Sequence, residues 1–237
     1  MKNNIGPVSL TSYISFTLLF FIAKSQLGFS ARDTSWIWYF LILTGIMQFI
    51  NNLYITQYPE VCGSYNIISA LSATLVPWIF IFGISCICLV FIPGWLRVFS
   101  NTFGHMVANW AGLNKIVNDI FAKRDNSLDI NSKIKESIDL LYTNRTKFIN
   151  EIELDYNADE KSHEYNSGKN WPSLNKILAF MNISHPEPDE YKKLYNILVL
   201  KEDAGYFAWL ILIGSISVLV STNSLLLTTC NSVDFNF

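Results

Sequence analysis

The chain has 237 residues, of which 51% are hydrophobic, 15% aromatic and only 15% charged, whereas soluble domains average about 25% charged residues. Its formal net charge is −2, and no block of lysine and arginine stands out. This composition excludes the clustered basic surface that is typical of nucleic-acid-binding proteins. We therefore expect no nucleic-acid partner.

The charged residues are concentrated in one part of the chain. Residues 98–204 contain 13 of the 17 lysines and arginines and 16 of the 19 acidic residues. The apolar stretches before and after this part have the length and composition of membrane-spanning helices. The sequence therefore predicts an all-α, multi-pass transmembrane protein with four spans and a small helical polar domain inserted between spans 3 and 4.

The first span is predicted at about 7–23 and is followed by Lys24. A signal peptide is the competing interpretation, because Lys2 precedes a rather short apolar run. No clear small-residue cleavage site follows, however, and Ser25-Gln26 is a poor one. We therefore expect the first span to be retained.

The second span is predicted at about 36–56, and its second half contains Gln48, Asn51 and Asn52. Amide side chains need hydrogen-bonding partners in hydrocarbon. We expect these three to face another helix or to lie near the headgroups, and a contact with a transported substrate is the alternative.

The third span is predicted at about 75–96, after a connector at 57–73, and it contains no charged residue. Pro77 favours a helix start there or one turn earlier, because proline in the first turn loses no hydrogen bond. Trp78 and Trp95 lie near the two ends, about 25 Å apart along a helix, which is close to the thickness of a bilayer's hydrocarbon core.

An amphipathic helix is predicted directly after the third span, over 98–124. Its apolar residues recur every three or four positions, and either they lie in the membrane interface or they pack against the rest of the polar domain. Aromatic rings and cations favour the headgroup boundary. The predicted membrane and interface anchors are accordingly Trp78, Trp95, Arg97, Phe99, Phe103 and Trp110.

Helical patterns continue through the polar domain, with a short helix at 171–180 and another after Pro188. The fourth span is predicted at about 205–228. The resulting organisation is a membrane part at 1–97, the amphipathic helix with the polar domain at 98–204, and the fourth span with a short tail at 205–237.

Four spans place both termini on one side of the membrane and residues 98–204 on the other. Four cations near the span ends, Lys24, Arg32, Arg97 and Lys201, share the second side, so positive-inside bias predicts that the polar domain is cytoplasmic. Cys62 and Cys230 would then share the opposite side, where we predict that they could form a disulfide.

No catalytic, cofactor-binding or metal-binding residue is predicted. The three histidines have no ligand neighbour at helical spacing, and the four cysteines make no CxxC pair. No nucleophile elbow or glycine-rich phosphate loop is present in the sequence. No ionisable residue lies deep within a predicted span, which disfavours ion transport. We therefore expect a protein that is not an enzyme and needs no cofactor.

Residues Cys62 to Gly104 carry a family resemblance, in Cys62, in PWIFIFG (77–83), in FIPGWL (91–96) and in FSNTFG (99–104). The PGWL…FSNTFG spacing is its most distinctive part. This stretch resembles multi-pass virion-membrane proteins of the nucleocytoplasmic large DNA viruses, the giant viruses. The resemblance implies an internal membrane beneath an icosahedral capsid and a structural role, which is to anchor the capsid to the membrane or to shape that membrane. The partners that it implies are the lipid bilayer and other membrane or capsid proteins.

Two other functions stay open from the sequence. One is an accessory multi-pass subunit of an organellar membrane complex, whose polar domain docks on partners. The other is a small transporter or membrane enzyme with an unrecognised site. A cluster of facing polar side chains from Gln48, Asn51, Asn52 and Ser85 would favour the transporter.

Overall fold

The computed structural model of the chain describes residues 5–27, 34–92, 94–122, 149–150, 152, 154, 172–180 and 188–227. These residues are almost entirely helical and include no β-strand. Four helices are long and apolar enough to cross a membrane, which agrees with the predicted number of spans and with the all-helical class. They lie at Gly6–Gln26, Ser35–Thr56, Ile67–Phe91 and Asp189–Leu227.

The α-helices in the described part of the chain are α1 (Ile5–Leu27), α2 (Ser35–Thr56), α3 (Ile67–Pro77), α4 (Ile84–Phe91), α5 (Trp95–Phe99), α6 (His105–Trp110), α7 (Leu113–Ala122), α8 (Pro172–Phe180) and α9 (Pro188–Leu227). Two π-helical segments, Trp78–Gly83 and Ser100–Gly104, lie between them. The charged residues of α9 end at Asp203, so its uncharged part, 204–227, is the part whose composition suits a membrane span.

The chain divides into two compact units. Unit 1 comprises Met1–Leu96 and Tyr206–Phe237, and unit 2 comprises Arg97–Gly205. Unit 1 thus contains the membrane-spanning segments. The charge content of unit 2 predicts that it is a soluble domain, and this stays a prediction.

The third span begins at Ile67 and not near Pro77, about two turns before the predicted start. Asn66 caps the helix, because its side-chain oxygen accepts a hydrogen bond from the backbone N–H of Ser69 at 2.9 Å. Pro77 lacks the N–H that an interior position needs, and the backbone widens into the π segment Trp78–Gly83 directly after it. The span ends at Phe91.

Unit 1 has an aromatic interior to which α1, α2 and α9 all contribute. The rings of Phe20 and Phe40 meet edge to face at a centroid distance of 4.9 Å, and those of Trp36 and Tyr206 do so at 5.1 Å. Lys24, at the end of the first span, is buried with its ammonium 4.8 Å from the centroid of the Trp36 ring. Each such aromatic pair contributes about 0.5–1.5 kcal/mol beyond the burial of its area.

Two glycines in unit 1 make room for large side chains of neighbouring helices. A Cβ at Gly45 would lie 3.0 Å from Cδ1 and Nε1 of Trp78, and a Cβ at Gly214 would collide with the phenol ring of Tyr13. The Tyr13 hydroxyl donates to the backbone carbonyl of Leu210 at 2.6 Å. Small residues therefore let α1, α2, α9 and the third span approach closely.

Unit 2 has its own hydrophobic core, to which α6, α7, α8 and the start of α9 contribute. The buried residues of this core are Ala108, Leu113, Val117, Ile120, Ile149, Ile152, Leu154, Leu174, Leu178, Tyr191, Leu194, Ile197 and Leu198.

The amphipathic helix predicted over 98–124 is divided in the structure. Gly112 has a φ of +97°, a left-handed conformation that interrupts the helix and that glycine adopts without strain. The apolar residues of α7 then pack into the core of unit 2, so packing is the correct alternative for this half. Several large apolar residues before Gly112 are instead exposed, and they are described with the candidate site below.

Several predictions fall on residues outside the described ranges. They concern most of the segment 123–171, including His163, as well as His185, Cys230 and the tail after 227.

Candidate functional site

Helix α2 carries a polar residue at every fourth position, and we call this set the polar ladder: Thr44, Gln48, Asn52 and Thr56. All four side chains are fully buried. Residues four apart lie on one face of an α-helix, so the polar ladder forms a continuous polar stripe that faces the interior of unit 1.

The middle of the polar ladder is bonded to two other spans. The Asn52 amide nitrogen donates to the hydroxyl of Thr74 on α3 and to that of Ser221 on α9, both at 2.8 Å. Its carbonyl oxygen accepts from Nε2 of Gln48 at 3.1 Å. Nε2 of Gln48 also lies 3.4 Å from the Ser221 hydroxyl. We call these four residues the amide cluster.

The two ends of the polar ladder are satisfied mainly by backbone groups. The Thr44 hydroxyl donates to the carbonyl of Phe40 at 2.7 Å. The Thr56 hydroxyl donates to the carbonyl of Leu53 at 2.7 Å and accepts from the backbone N–H of Asn66 at 3.2 Å. The interhelical bonding of the stripe is therefore concentrated in the amide cluster.

Some polar atoms of the amide cluster, or of residues next to it in sequence, have no hydrogen-bond partner among the described residues. They are Oε1 of Gln48, Nδ2 of Asn51 and Oγ1 of Thr222, all buried. A buried polar atom without a partner costs roughly 1–3 kcal/mol. The Gln48 oxygen can therefore accept a hydrogen bond from a small polar molecule. The cluster consists of neutral amides and hydroxyls. These groups bind through hydrogen bonds and do not ionise near neutral pH.

The amide cluster overlaps only in part with the set expected of a transporter. Gln48 and Asn52 belong to it, whereas Asn51 and Ser85 are not among its bonded members. Thr74 and Ser221 were not predicted. The fourfold spacing of polar residues in α2 is a signal that sequence reasoning could have used, but nothing in the sequence pairs those residues with positions far along the chain.

Trp78, the first predicted interface anchor, faces protein. Its ring is 6% exposed, and its indole N–H donates to the carbonyl of Leu41 at 3.1 Å. Trp95 is 39% exposed and meets the ring of Trp209 edge to face at 5.7 Å. The indole group of Trp78 is therefore satisfied by α2, and the proposal that it anchors the span at the headgroups gains no support from its position.

The other predicted anchors lie together at the start of unit 2. Arg97 is exposed, and the rings of Phe99 and Phe103 are stacked at 6.4 Å with an interplanar angle of 14°. Trp110 is 77% exposed and Phe103 is 52% exposed.

We call Val98, Phe103, Met106 and Trp110 the apolar face, because all four are large, apolar and exposed. Phe103, Met106 and Trp110 follow helical spacing. The π segment Ser100–Gly104, whose hydrogen bonds join residues five apart, brings Val98 towards the same side. The opposite side of this segment is buried, at Ser100, Gly104, His105 and Ala108.

The cysteines fall into two groups. Cys86 and Cys88 carry free thiols within the third span, and Cys62 is disulfide-bonded. Cys230 is outside the described residues, so its pairing with Cys62 stays a prediction. Within the described ranges, no three residues of the metal-binding types come together.

Comparisons of the chain with protein-family models, with curated proteins and with solved structures find no match. What the chain does must therefore be inferred from its own residues and their geometry.

Proposed function

We propose that this chain is a structural, non-enzymatic membrane protein that anchors or organises a membrane through lipid and protein contacts. The observation that carries the proposal is the apolar face, four large apolar side chains left exposed on a segment whose other side is buried. In the sequence this segment begins only a few residues after the third span, so it is never far from the bilayer.

The chemistry of the apolar face suits a lipid surface. Removing a valine, phenylalanine or methionine side chain from water contributes about 1.5–3 kcal/mol when burial is complete. Tryptophan favours the headgroup boundary, and Arg97 at the start of the segment can contact lipid phosphates. The apolar face therefore accounts for several kcal/mol of membrane attachment in addition to that of the spans.

A photoreactive residue on the apolar face tests this proposal. We expect benzoylphenylalanine at position 110, in protein reconstituted into vesicles, to cross-link to lipid acyl chains. The matched control is the same residue at position 115, because Lys115 is exposed on α7 and we expect no lipid adduct there. Equal lipid labelling at both positions, or none at position 110, contradicts the proposal.

We propose that this membrane is the internal membrane of a virion, or the host endomembrane from which that internal membrane derives. The support is the resemblance of residues 62–104, above all PGWL…FSNTFG, to virion-membrane proteins of giant viruses. Capsid or other membrane proteins are then the partners. Abundance of the chain in purified virions supports this assignment. Its co-purification with a respiratory or ribosomal assembly would favour the organellar subunit instead.

We further propose that residues 98–204 lie on the cytoplasmic side, which is supported by the cations Lys24, Arg32, Arg97 and Lys201 near the span ends. A protease site inserted within 155–170 should then be cleaved from the cytoplasmic side of sealed membranes. A tag at either terminus should stay protected. The reverse pattern would contradict this orientation.

The amide cluster favours a second candidate, a small transporter of neutral polar molecules. Its supporting observation is the buried Oε1 of Gln48, which has no hydrogen-bond partner among the described residues. It belongs to a cluster in which an amide of α2 is bonded to hydroxyls of two other spans. Stopped-flow measurement of glycerol or urea uptake into reconstituted vesicles separates the candidates. Uptake that falls to the protein-free rate in Gln48→Leu would favour transport, and uptake no faster than in protein-free vesicles would exclude these solutes.

A further inference from the structure

The hydrogen bonds of the amide cluster run in one direction, and Thr74 sets that direction. A hydroxyl group has a single proton, and the proton of Thr74 is donated to the backbone carbonyl of Ala70 at 2.8 Å. Towards Asn52 the Thr74 oxygen can therefore only accept, so the atom of Asn52 that lies 2.8 Å away is the amide nitrogen. The other polar atom of Asn52 is its carbonyl oxygen, which faces Gln48.

The same reasoning fixes the side-chain amide of Gln48. Its polar atom 3.1 Å from the Asn52 oxygen is the nitrogen, because a carbonyl oxygen in that place could not donate and would repel the oxygen of Asn52. Oε1 of Gln48 is thus held on the side of the amide that faces away from this bond. There it is buried and has no hydrogen-bond partner among the described residues.

Ser221 supplies a donor beside this acceptor. Its oxygen accepts from Asn52 at 2.8 Å and lies 3.4 Å from Nε2 of Gln48, whereas its own proton has no acceptor within the described part of the chain. The nitrogen and oxygen of one amide are only about 2.3 Å apart, so the Ser221 oxygen lies at most about 6 Å from Oε1 of Gln48. One water molecule can bridge the two, because its hydrogen bonds of about 2.8 Å each cover almost all of that distance.

The surroundings of the amide cluster select a small, uncharged occupant. Gln48, Asn52 and Ser221 are fully buried, and Thr74 is 3% exposed. None of the four residues is charged, whereas an ion within hydrocarbon needs compensating charge. Water is the smallest molecule that donates to a buried acceptor and accepts from a buried donor at once, and buried polar groups commonly bind it in this way.

We propose that one long-lived water molecule is bound within unit 1, where it donates to Oε1 of Gln48 and accepts from the hydroxyl of Ser221. This water completes the amide cluster, and it joins α2 to α9 in addition to the bond between Asn52 and Ser221. The site is independent of both proposed functions, because an enclosed water molecule need not cross the membrane.

The test uses the full chain in detergent micelles, with nitrogen-15 in the side chains of glutamine and tryptophan. The glutamines of the chain are Gln26, Gln48 and Gln57. Paired NOESY and ROESY spectra separate contact with a long-lived water from surface water and from proton exchange. We expect long-lived contact at Gln48 and surface water at the exposed Gln26. The dry reference is the indole of Trp78, whose N–H is bonded to the carbonyl of Leu41, and it should show at most a third of the Gln48 transfer.

A pair of matched substitutions on α9 tests the role of Ser221. Ser221→Ala removes the hydroxyl that holds the oxygen of the water, so transfer to the Gln48 amide should fall at least twofold. Ser217→Ala removes an equally buried hydroxyl one turn earlier, which donates to the carbonyl of Ile213 in its own helix at 3.0 Å, and should leave the transfer unchanged. Equal transfer in both variants and in the wild-type chain would remove Ser221 from the site and overturn the proposal.

A third variant places the water on the correct amide and keeps the test valid if Ser221→Ala does not fold. Nδ2 of Asn51 is also buried without a partner among the described residues, and Asn51→Leu removes it. Transfer at Gln48 should persist in this variant, and its loss would assign the water to Asn51 instead. The proposal also fails if the wild-type chain shows no long-lived water at Gln48, or equal transfer at Gln48 and Trp78.

Discussion

Asn52 uses all the polar atoms of its side chain in bonds to other side chains. Its nitrogen donates to Thr74 and Ser221, and its oxygen accepts from Gln48. Interhelical hydrogen bonds in membrane proteins contribute about 0.6–2 kcal/mol each. Asn52 is thus the residue through which α2 holds α3 and α9.

Asn52→Leu should destabilise unit 1 by about 1–3 kcal/mol, because it leaves the partners of Asn52 unsatisfied. Asn51→Leu is the matched control at the next position, since Nδ2 of Asn51 is buried without a partner among the described residues and its removal should be neutral or stabilising. Unfolding in mixed micelles with increasing denaturing detergent measures both. Equal losses in the two variants would show that the amide cluster does not hold the helices together.

Gly214 is required by the side chain of Tyr13. Gly214→Ala places a methyl group on the phenol ring, so we expect α1 to shift away from α9, at a cost of about 1–3 kcal/mol. Gly6→Ala is the control within α1, because a Cβ at Gly6 has no atom within 4 Å. The same unfolding assay measures both variants. A second measurement is whether α1 stays associated with the other helices in a denaturing detergent. An unchanged Gly214→Ala protein would mean that the two helices repack freely.

The third span shows which features of a helix the sequence can predict. Its existence follows from a long uncharged stretch. Its start does not, because Pro77 reads as a first-turn residue whereas the true start is capped by Asn66. Proline inside a span is tolerated when the local backbone adjusts, here through the π segment Trp78–Gly83. That adjustment depends on packing against other helices and has no sequence signature of its own.

Asn66→Ala should remove the cap of α3 and destabilise the span by about 1 kcal/mol. Asn66→Ser retains a capping oxygen and should keep most of the stability. Hydrogen exchange at the backbone amide of Ser69 reports the effect directly, because this amide donates its hydrogen bond to Oδ1 of Asn66. Faster exchange in both variants alike would show that the cap is not what fixes the start.

The segment before Gly112 shows a similar division between pattern and packing. Three- and four-residue spacing predicts an apolar stripe over 98–124, and such a stripe exists. Which part of it is buried depends on the turn at Gly112, whose φ of +97° separates α6 from α7. The pattern alone therefore could not decide between interface and core, and the structure assigns α7 to the core.

For the chain as a whole, the number of spans and the helical class were predictable from composition, whereas the contacts between spans were not. Every hydrophobic stretch of sufficient length and low charge identifies a span locally. The bond between Asn52 and Ser221 joins residues 169 positions apart, and a single sequence contains no signal for such a pair. The close approach of Gly104 to the backbone carbonyl of Lys201 is unpredictable for the same reason.

The pH dependence of overall stability should reveal the burial of Lys201, which is 5% exposed. The pKa of Lys201 is lowered from its ordinary value of 10.5 to about 8 in the folded chain. Between these values the unfolded chain binds more protons, so stability should rise with pH from about 8 towards 10.5. Thermal unfolding of wild type and Lys201→Met across this range measures the difference. An equal pH profile in the two proteins would show that Lys201 is solvated when folded.

During synthesis, α2 enters the membrane long before α9 exists. Ser221 follows Asn52 by 169 residues, a length that a ribosome makes in roughly 10–30 s at about 5–20 residues per second. Throughout that interval the amides of Asn52 and Gln48 lack the hydroxyl that they share in the finished bundle, and unpaired polar groups are costly in hydrocarbon. We therefore expect α2 to stay beside a polar surface of the insertion machinery until the last span emerges, and we expect a chain released earlier to be more sensitive to proteolysis.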